Sequence, residues 1–387
     1  MKVTTPGTEG ARRESVFHRL YTGTGAFDII GKRARWYISL GLLVLVCLGA
    51  MGFKGFNLGI DFEGGTKLQL PAVGAQGPIQ TDQVQNAFQD ALGHPAETVQ
   101  VVGTGANQSI QIRSSALTPE QVAAVKQSLF TEVQPLNAQG SPSQQVISDS
   151  AVSGTWGGEI TQQALIALAV FLVLVTIFLA FYFEKWMAVA ALIALFHDIL
   201  VTAGIYSLVG FEVTPATVIG LLTILGFSLY DTVVVFDKVK ENTRGLLGLT
   251  RRTYGEAANL AVNQTLMRSI NTSVIALLPV VGLLVVGAGL LGVGVLQDLA
   301  LVQMVGMIAG VVSSIFLATP LLVDFKMRDP KYREHAAKVW QRRERAAAKA
   351  AGEDAPAEPR HAVAAGTAPR GGRPGAKAGR PSGKRRR

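Results

Sequence analysis

The chain has 387 residues, of which 49% are hydrophobic and only 16% carry a charge. A soluble globular domain carries about 25% charged residues, so the composition excludes an ordinary soluble protein and indicates a membrane protein with soluble appendages. The net charge of +9 does not indicate a nucleic-acid-binding domain, because half of the 36 Lys and Arg residues follow Val323 in a terminal segment. The single cysteine, Cys47, excludes an internal disulfide, and the sequence predicts neither a metal site nor a cofactor.

Six apolar segments are long enough to cross a hydrocarbon core of about 30 Å. They predict a membrane α-helical fold with six transmembrane helices at 36–53, 160–183, 186–211, 214–236, 266–286 and 299–323. Residues 1–35 form a segment in front of the first of these helices. No small-residue cleavage site follows that helix, so we do not expect a cleaved signal peptide.

Residues 54–159, between the first and second helices, are numerous enough for a small folded domain. Apolar alternation predicts strands at 67–70, 99–102, 109–113 and 144–147, and helical periodicity predicts helices at 81–92 and 118–133. Thr118 is a suitable N-cap for the second of these helices, since Pro119 follows it at the first helical position. The order β-α-β-β-α-β is typical of a ferredoxin-like α+β domain. We expect this domain to bind a partner or to transmit movement, since it carries no metal set and no nucleophile–base pair.

The distribution of charge predicts the orientation of the chain in the membrane. Residues 54–159 hold four basic and nine acidic residues, whereas residues 1–35 hold seven basic and three acidic, and residues 237–265 hold five and three. The positive-inside rule therefore places both termini in the cytoplasm and the large acidic loop outside. Residues 324–387 are expected to be a basic, largely disordered cytoplasmic tail. Such a tail is either merely solubilising or contacts acidic lipid or ribosomal RNA.

Two charges of opposite sign stand alone inside predicted membrane helices. Asp231 is the only charge in 214–236, and Arg268 is the only charge in 266–296. A charge at the centre of a membrane helix costs about 2.5–3.5 kcal/mol by insertion scales. Asp231 lies shortly before the cytoplasmic end of its helix, and Arg268 lies shortly after the cytoplasmic start of the next one. We therefore expect the two residues at similar depth in the membrane. They could form a proton-handling pair, or a buried bridge that only fixes helix packing.

Other polar residues in these helices extend the candidate site. Asn271, Thr272 and Ser273 follow Arg268 and could line a hydrated proton path. Weaker candidates are His197 and Asp198, which could equally pin helices together by hydrogen bonds, together with Tyr230 and Asp237, the latter expected at the membrane edge. Gly306, Gly310 and Ser314 recur every four residues, a spacing that favours close helix packing. Outside the first helix, Asp61 precedes Gly64 and Gly65, which are expected to form a tight turn into the first strand.

Several segments in order resemble the SecF family of protein-export membrane proteins. The resemblance rests on 27–33 (FDIIGKR), 59–66 (GIDFEGGT), 194–198 (ALFHD), 226–237 (GFSLYDTVVVFD), 263–273 (NQTLMRSINTS) and 310–320 (GVVSSIFLATP). It covers about residues 27–328, with the outer domain similar in length and pattern more than in sequence.

The resemblance implies membership of the resistance-nodulation-division superfamily and a multi-pass location in the bacterial cytoplasmic membrane. It also implies a SecD-like partner, the SecYEG channel and a translocating preprotein, with protons supplying the driving force. The family's proton-path Asp and Arg correspond to Asp231 and Arg268. The family usually has Asn before that Asp, whereas this chain has the bulkier Tyr230.

Two other functions remain as alternatives. A drug or lipid exporter of the same superfamily would usually combine two six-helix halves in one chain, and this chain has one half. An intramembrane aspartyl protease would use the Tyr230–Asp231 element, but its chemistry needs a second Asp at the same depth, usually in a GxGD motif, which is absent from the sequence. An enzyme is therefore not expected.

Overall fold

The computed structural model of the chain describes residues 27–103, 105, 108–290 and 294–350. Its elements in chain order are α1 (Arg33–Lys54), β1 (Asn57–Leu58), α2 (Ile60–Glu63), β2 (Gly65–Pro71), β3 (Val73–Gly74), β4 (Gly77–Pro78), α3 (Thr81–Leu92), β5 (Thr98–Val102), β6 (Ser109–Ser114), α4 (Pro119–Val133), β7 (Ser148–Val152), α5 (Gly154–Tyr182), α6 (Lys185–Val209), β8 (Glu212–Val213), α7 (Pro215–Asn242), α8 (Tyr254–Gly282), α9 (Gly294–Ser313), α10 (Thr319–Lys326) and α11 (Pro330–Ala350). Two π-helical segments, Leu283–Leu290 and Ser314–Ala318, extend α8 and join α9 to α10.

Within these described residues, six helices are long and apolar enough to cross a membrane, which confirms the predicted fold class. Spans 1 to 5 are α1, α5, α6, α7 and α8, and span 6 runs from α9 through the second π segment to the end of α10. Spans 1 and 2 are the least buried in the bundle, together with span 5, whereas span 3 is the most enclosed. Spans 3, 4 and 6 therefore form the core in which polar side chains can be shielded, and span 5 contributes its buried residues, among them Ser269.

Span 5 begins well before its predicted start at residue 266, because its first turns are helical without being uniformly apolar. The helix starts at Tyr254, after a capping box in which Glu256 N donates to Thr253 Oγ1 at 3.3 Å and Thr253 N donates to Glu256 Oε2 at 3.0 Å. Such a reciprocal cap satisfies amide donors that have no partner inside the helix. A hydropathy window detects the apolar part of this helix and misses the part that projects beyond it.

The segment before span 1 is held against span 5 by two asparagines. Asn263 accepts a hydrogen bond from Phe27 N at 2.9 Å through Oδ1 and donates to Phe27 O at 2.8 Å through Nδ2. Asn259 Oδ1 accepts from Ile29 N at 2.9 Å. Ile29 and Ile30 are buried next to these contacts. The N-terminal side of span 1 is thus fixed to a helix more than 200 residues away in sequence.

The outer domain has the predicted ferredoxin-like topology. Its four-stranded sheet has the order β5-β6-β2-β7, with every neighbouring pair antiparallel. Helices α3 and α4 cover one face, and the apolar core between helices and sheet is formed by residues such as Leu68, Leu70, Val84, Phe88, Ile110, Ile112, Val125 and Leu129. The predicted capping of α4 is also present, since Gln121 N donates to Thr118 Oγ1 at 3.3 Å.

The fourth strand of this sheet was predicted wrongly at residues 144–147. Residues Gln144–Val146 form a 3-10 turn, and the strand β7 is Ser148–Val152. The apolar residue Ile147 is buried in the core from the turn, whereas the strand itself reads Ser-Asp-Ser-Ala-Val and is exposed along most of its length. An edge strand without an apolar alternation gives little signal for sequence-based prediction.

The prediction of a disordered tail from residue 324 onward is wrong for its first part, which is helical. Residues 330–350, which fall inside the predicted tail 324–387, form the helix α11. Its first part is anchored in the body of the protein by buried side chains, among them His335, whose Nε2 lies 2.6 Å from Leu249 O. Residues 351–387, and with them most of the predicted tail, lie outside the described residues, as do residues 1–26.

Candidate functional site

A group of polar side chains is buried where spans 3 to 6 pack together. Asp198, Ser228, Asp231, Thr232, Ser269 and Ser314 each have at most 8% of their surface exposed. Buried polar groups in a membrane-spanning bundle cannot hydrogen-bond to bulk water, so their partners determine what they can do. The contacts among these side chains are described in turn below.

Asp231 is held by a serine of the neighbouring span. Ser269 Oγ on α8 donates a hydrogen bond of 2.5 Å to Asp231 Oδ1 on α7. The second carboxyl oxygen, Oδ2, is buried and has no hydrogen-bond partner among the described residues. Asp231 therefore has one fixed oxygen and one oxygen that is free to hold a proton or to accept another donor.

A second buried carboxyl lies close by on span 3. Ser228 Oγ donates to Asp198 Oδ2, and His197 Nδ1 lies 3.1 Å from Asp198 Oδ1. Ser228 precedes Asp231 by one helical turn on α7, so both carboxyl groups are connected to the same face of span 4. The other ring nitrogen of His197, Nε2, is buried without a partner among the described residues.

Span 6 reaches this group through a widened turn. Ser314 Oγ lies 3.0 Å from Thr232 Oγ1 and donates to Gly310 O at 2.7 Å. Ser314 is the first residue of the π-helical segment Ser314–Ala318, and π-helical turns inside α-helices are frequent at functional sites.

Two glycines of span 6 allow the close approach of span 4. A Cβ added to Gly310 would lie 2.9 Å from Ser228 Cβ, and one added to Gly306 would overlap the side chain of Ile224. These are closer than the ordinary contact distance between carbon atoms of about 3.5–4.0 Å. The small residues of span 6 thus bring Ser314 within hydrogen-bonding distance of span 4.

A small cavity lies beside Asp231. Its volume is about 30 Å³, and it is lined by Phe227, Ser228, Tyr230, Asp231, Thr272, Ser273, Ala276, Met307 and Val311. A cavity needs a volume of about 10–15 Å³, measured in the same way, to hold one water molecule, and the water also needs polar partners. The cavity is thus large enough for a water molecule next to Asp231, with Thr272 and Ser273 among its lining residues.

Arg268 does not pair with Asp231, contrary to the close pair considered from the sequence. No ion pair within 4.0 Å involves Arg268 in the part of the chain that the structure describes, and its side chain is exposed. Its neighbour Ser269 contacts Asp231 instead. Successive residues on an α-helix point about 100° apart, since 3.6 residues make one turn, so only one of the two can face span 4.

The polar residues that follow Arg268 also lie on different sides of span 5, one exposed and two half-buried. Asn271, one turn beyond Arg268, is exposed on the same outward side of span 5, whereas Thr272 and Ser273 are half-buried and line the small cavity. Tyr230 is also half-exposed, with 50% of its surface accessible, and borders the cavity from span 4. Asp237 is exposed near the end of α7, where it lines a different cavity.

The outer domain is joined to the membrane part through Arg113, a residue that the sequence interpretation overlooked. Arg113 Nη1 donates to Asn57 Oδ1 at 3.0 Å, and its Nη2 donates to Leu58 O at 2.6 Å. The same guanidinium lies 3.7 Å from Glu212 and 3.8 Å from Glu63. Its side chain is only 6% exposed. One buried cation therefore connects the outer sheet to the segment after span 1 and to the segment between spans 3 and 4.

The sequence gives only a weak indication that Arg113 connects the outer domain to another part of the protein. On β6, Ile110 and Ile112 face the helices, so the alternation of a strand places Arg113 on the opposite face. A long cation at that position has to find partners outside the domain. The segments that supply them, β1 and β8, pair in parallel, with Asn57 opposite Glu212.

A second connection between the outer domain and the membrane part contains Asp61, Gly64 and Gly65. Asp61 belongs to the single-turn helix α2, and the two glycines that follow have φ angles of 80° and 131°. A Cβ on Gly64 would lie 2.7 Å from the backbone of Gly154 at the start of span 2. Both the positive φ and the close approach require glycine at this position.

No group of three or more His, Cys, Asp or Glu side chains among the described residues is arranged to hold a metal ion.

The chain is similar to known protein-export membrane proteins along most of its length. The family described as "Protein export membrane protein SecD/SecF, C-terminal" matches residues 132–328, and "SecD/SecF GG Motif" matches residues 49–75. The second match contains Gly64 and Gly65 at the second connection described above. The first contains all four spans that enclose Asp231.

Individual relatives give the same result. The chain is 54% identical over 340 residues to the protein translocase subunit SecF of Mycobacterium tuberculosis, covering 88% of this chain and 76% of that protein. It is 42% identical to the protein translocase subunit SecF of Streptomyces coelicolor, covering 98% and 99%. The crystal structure of SecDF, a translocon-associated membrane protein from Thermus thermophilus, superposes with a TM-score of 0.65 at 31% identity, over 78% of this chain and 38% of that one.

Proposed function

This chain belongs to the SecF proteins of the SecD/SecF protein-export family, and we propose that it couples proton movement through Asp231 to preprotein translocation. Asp231 carries the proposal, because it is buried among four spans, has one oxygen held by Ser269 and one without a partner, and borders a cavity that can hold water. In this mechanism the free oxygen takes up a proton and later releases it. Ser269 keeps the carboxyl group in one orientation throughout.

We propose that the Arg268 side chain faces a partner subunit. An exposed guanidinium in a membrane span costs about 2.5–3.5 kcal/mol if it faces lipid, so a protein surface with an acidic residue is the more favourable neighbour. This chain covers only 38% of the SecDF structure that it resembles, so most of that chain lies outside the matched part. A SecD-like subunit is thus the proposed partner that faces Arg268 and Asn271.

His197 and Asp198 are proposed to position span 4. Their hydrogen bonds end on Ser228, one turn before Asp231, and they fix the rotation of the helix that carries the proton-binding carboxyl group. Thr232 and Ser314 do the same from span 6. Substitutions at these residues should alter the rate of proton transfer through Asp231 but leave the proton-binding carboxyl group in place.

The outer domain is proposed to receive the movement. A displacement of span 3 or span 4 would move Glu212 on β8, which lies between these spans. The ion pair between Glu212 and Arg113 on β6 would then transmit this movement to the sheet of the outer domain. The domain would act on a preprotein that emerges from the SecYEG channel on the outer side of the membrane. The charge distribution supports an outside location for this domain and a cytoplasmic location for both termini. The basic tail would then lie at the inner surface, near acidic lipid or the ribosome.

Replacing Asp231 by Asn tests the proposal, because Asn keeps the size and an acceptor for Ser269 but cannot carry a proton. The complex with SecD is reconstituted with the channel, and preprotein export and proton flux are measured. We expect the stimulation of export by a proton gradient to fall at least tenfold, with the complex still assembled. Asp237→Asn, the same change at an exposed position near the end of the same helix, should leave export unchanged. Unaltered export in the Asp231 variant would refute the proposal.

A further inference from the structure

Ser314 of span 6 supplies a buried hydroxyl group beside the Asp231 site. It has no exposed surface, and its oxygen lies 3.0 Å from Thr232 Oγ1 and 2.7 Å from Gly310 O, to which it donates. Because its only hydrogen is directed at Gly310, Thr232 is the donor between the two hydroxyl groups. Another acceptor, Ser228 O, lies farther away, at 3.5 Å. The Ser314 side chain also interacts with the carboxyl group of Asp231.

The carbonyl oxygen of Gly310 does not depend on Ser314 for a side-chain donor. It also accepts a hydrogen bond from the hydroxyl group of Ser313, at 3.1 Å. If Ser314 turned its hydrogen to another acceptor, Gly310 O would therefore keep the donor from Ser313. A hydroxyl group can donate one hydrogen bond and still accept from a neighbour, so Ser314 would also keep its contact with Thr232.

The second carboxyl oxygen of Asp231 is the acceptor that Ser314 can take instead. Oδ1 is held by Ser269, whereas Oδ2 is buried and has no partner among the described residues. A neutral carboxyl group carries its own hydrogen, but a carboxylate can only accept, and a buried charged group without its partner is more costly than a neutral one. Loss of the proton from Asp231 therefore creates a need for a second donor, which a hydroxyl group of span 6 can meet.

Ser314 is also the first residue of a π-helical segment that reaches span 1. The segment is Ser314–Ala318, in which backbone hydrogen bonds join residues five apart instead of four. Inside it, Phe316 stacks on Trp36 of span 1, with 3.9 Å between ring centroids and 29° between ring planes. A single short segment thus contacts span 4 next to Asp231 at one residue and span 1 at another.

Span 1 leads directly to the outer domain. Its last residue is Lys54, and β1 follows at Asn57, whose side chain accepts a hydrogen bond from Arg113 of the outer sheet. Span 1 is among the least buried spans of the bundle, so each of its few contacts, such as that of Trp36 with Phe316, has a large share in fixing its position.

We propose that Ser314 exchanges hydrogen-bond acceptors when Asp231 changes its protonation state, and that the π-helical segment passes this exchange to span 1. This role rests on the proposed function, since it requires that Asp231 takes up and releases a proton. With Asp231 neutral, Ser314 donates to Gly310 O. With Asp231 charged, Ser314 donates to Oδ2, and the segment that it begins shifts the ring of Phe316 against Trp36. Ser314 is a positioning residue, because it carries no proton for transport.

Few titratable groups face Asp231 in the part of the chain that the structure describes. Span 3 contributes Asp198 and His197, which contact each other at 3.1 Å. Span 5 turns its only charged residue at this depth, Arg268, outward. Span 6 has no charged residue between Leu299 and Val323. Asp231→Asn is therefore the variant that separates its contribution from that of the pair on span 3.

The test follows the fluorescence of Trp36 as the pH is varied. The purified full chain in detergent is used, with its three other tryptophans replaced by Phe, namely Trp156, Trp186 and Trp340. Arg33 pairs with Asp324 at 3.2 Å close to Trp36, so part of any response can arise from that pair. We define the Asp231-dependent response as the part that is lost in Asp231→Asn, and we expect it to be present.

Variants of span 6 identify Ser314 as the connection. In Ser314→Ala the Asp231-dependent response should be lost, while infrared absorption shows that the Asp231 carboxyl group still gains and loses its proton. Ser313→Ala is the matched control, since it removes a buried hydroxyl group that donates to the same Gly310 oxygen, and it should leave the response unchanged. Ser314→Thr keeps a hydroxyl group and should restore the response. The melting temperature of each variant verifies folding.

Three outcomes would overturn the role of Ser314. They are a Trp36 response that is the same with and without Asp231→Asn, an undiminished response in Ser314→Ala, and an equal loss in Ser313→Ala. None of these measurements involves export or a partner subunit. A failure here is therefore distinct from a failure of the proposed function, which would appear as unaltered export in Asp231→Asn.

Discussion

Ser269 of span 5 donates its hydroxyl hydrogen to Oδ1 of Asp231 in span 4, at 2.5 Å, and thereby occupies the place next to the carboxyl group where an arginine partner was expected. A hydroxyl donor differs from a guanidinium in an important respect. It orients the carboxyl group in both its neutral and its charged state and contributes no full charge. The carboxyl group can then change its protonation state without breaking an ion pair.

Ser269→Ala removes this orienting contact, and we expect proton-driven export to fall about tenfold. A hydrogen bond to a charged group contributes about 1.5–3 kcal/mol, and about 1.4 kcal/mol corresponds to a factor of ten in rate. The measurement is export by the reconstituted complex at a fixed proton gradient. Ser313→Ala is the matched control, because the Ser313 hydroxyl donates to the backbone oxygen of Gly310 at 3.1 Å and Ser313 does not line the cavity beside Asp231. Equal effects of the two changes would contradict the assigned role of Ser269.

Arg113→Met should loosen the connection between the outer domain and the membrane part. Glu212, with only 10% of its side chain exposed, would lose its cation, and breaking a buried ion pair costs about 3–5 kcal/mol. Faster hydrogen exchange at β1 and β8 and a lower melting temperature are the expected observations. Lys126→Met, which removes a more exposed ion pair with Asp149, should cost about 0–1 kcal/mol.

A double variant separates the two contributions of Arg113. In Arg113→Met with Glu212→Gln, the buried carboxylate is removed together with its cation, so the loss of stability should be smaller than in Arg113→Met alone. Additive losses would mean that Arg113 acts through Asn57 and Leu58 and that Glu212 is not its energetic partner.

Gly306→Ala should destabilise the bundle, because its Cβ would overlap the side chain of Ile224 on span 4. Overpacking of this kind costs about 1–3 kcal/mol. Thermal unfolding of the purified chain in detergent measures the loss. Gly226→Ala is the matched control, since a Cβ at this glycine of span 4 meets no atom within 4 Å. A Gly306 variant as stable as the Gly226 variant would show that the two spans can separate without cost.

The orientation of the chain can be tested with single cysteines. Cys47 is 1% exposed and can be replaced by Ala, which leaves a chain without thiols. Gln139→Cys places a thiol on an exposed turn of the outer domain, and Leu247→Cys places one between spans 4 and 5, where Leu247 is 49% exposed. A membrane-impermeant maleimide should label intact cells at position 139 only. Labelling of position 247 before permeabilisation would reverse the proposed orientation.

Much of this architecture follows from local properties of the sequence. Apolar runs longer than the bilayer is thick predict membrane helices wherever they occur, because an apolar side chain favours lipid whatever its neighbours are. The capping of α4 by Thr118 and the strand–helix order of the outer domain are local in the same sense. The edge strand β7 escaped prediction, since its residues lack the alternation that burial of one face imposes.

The sequence by itself determined the six spans, the ferredoxin-like order of the outer domain and the isolated charges Asp231 and Arg268. Tertiary structure decided what those charges contact. Whether Arg268 or Ser269 faces Asp231 depends on the rotation of span 5 about its own axis, which is set by packing against spans 4 and 6. The same holds for Arg113, whose partners Asn57 and Glu212 are brought together by the pairing of β1 with β8. Hydropathy and spacing describe one helix or strand at a time, whereas these contacts are properties of several elements packed together.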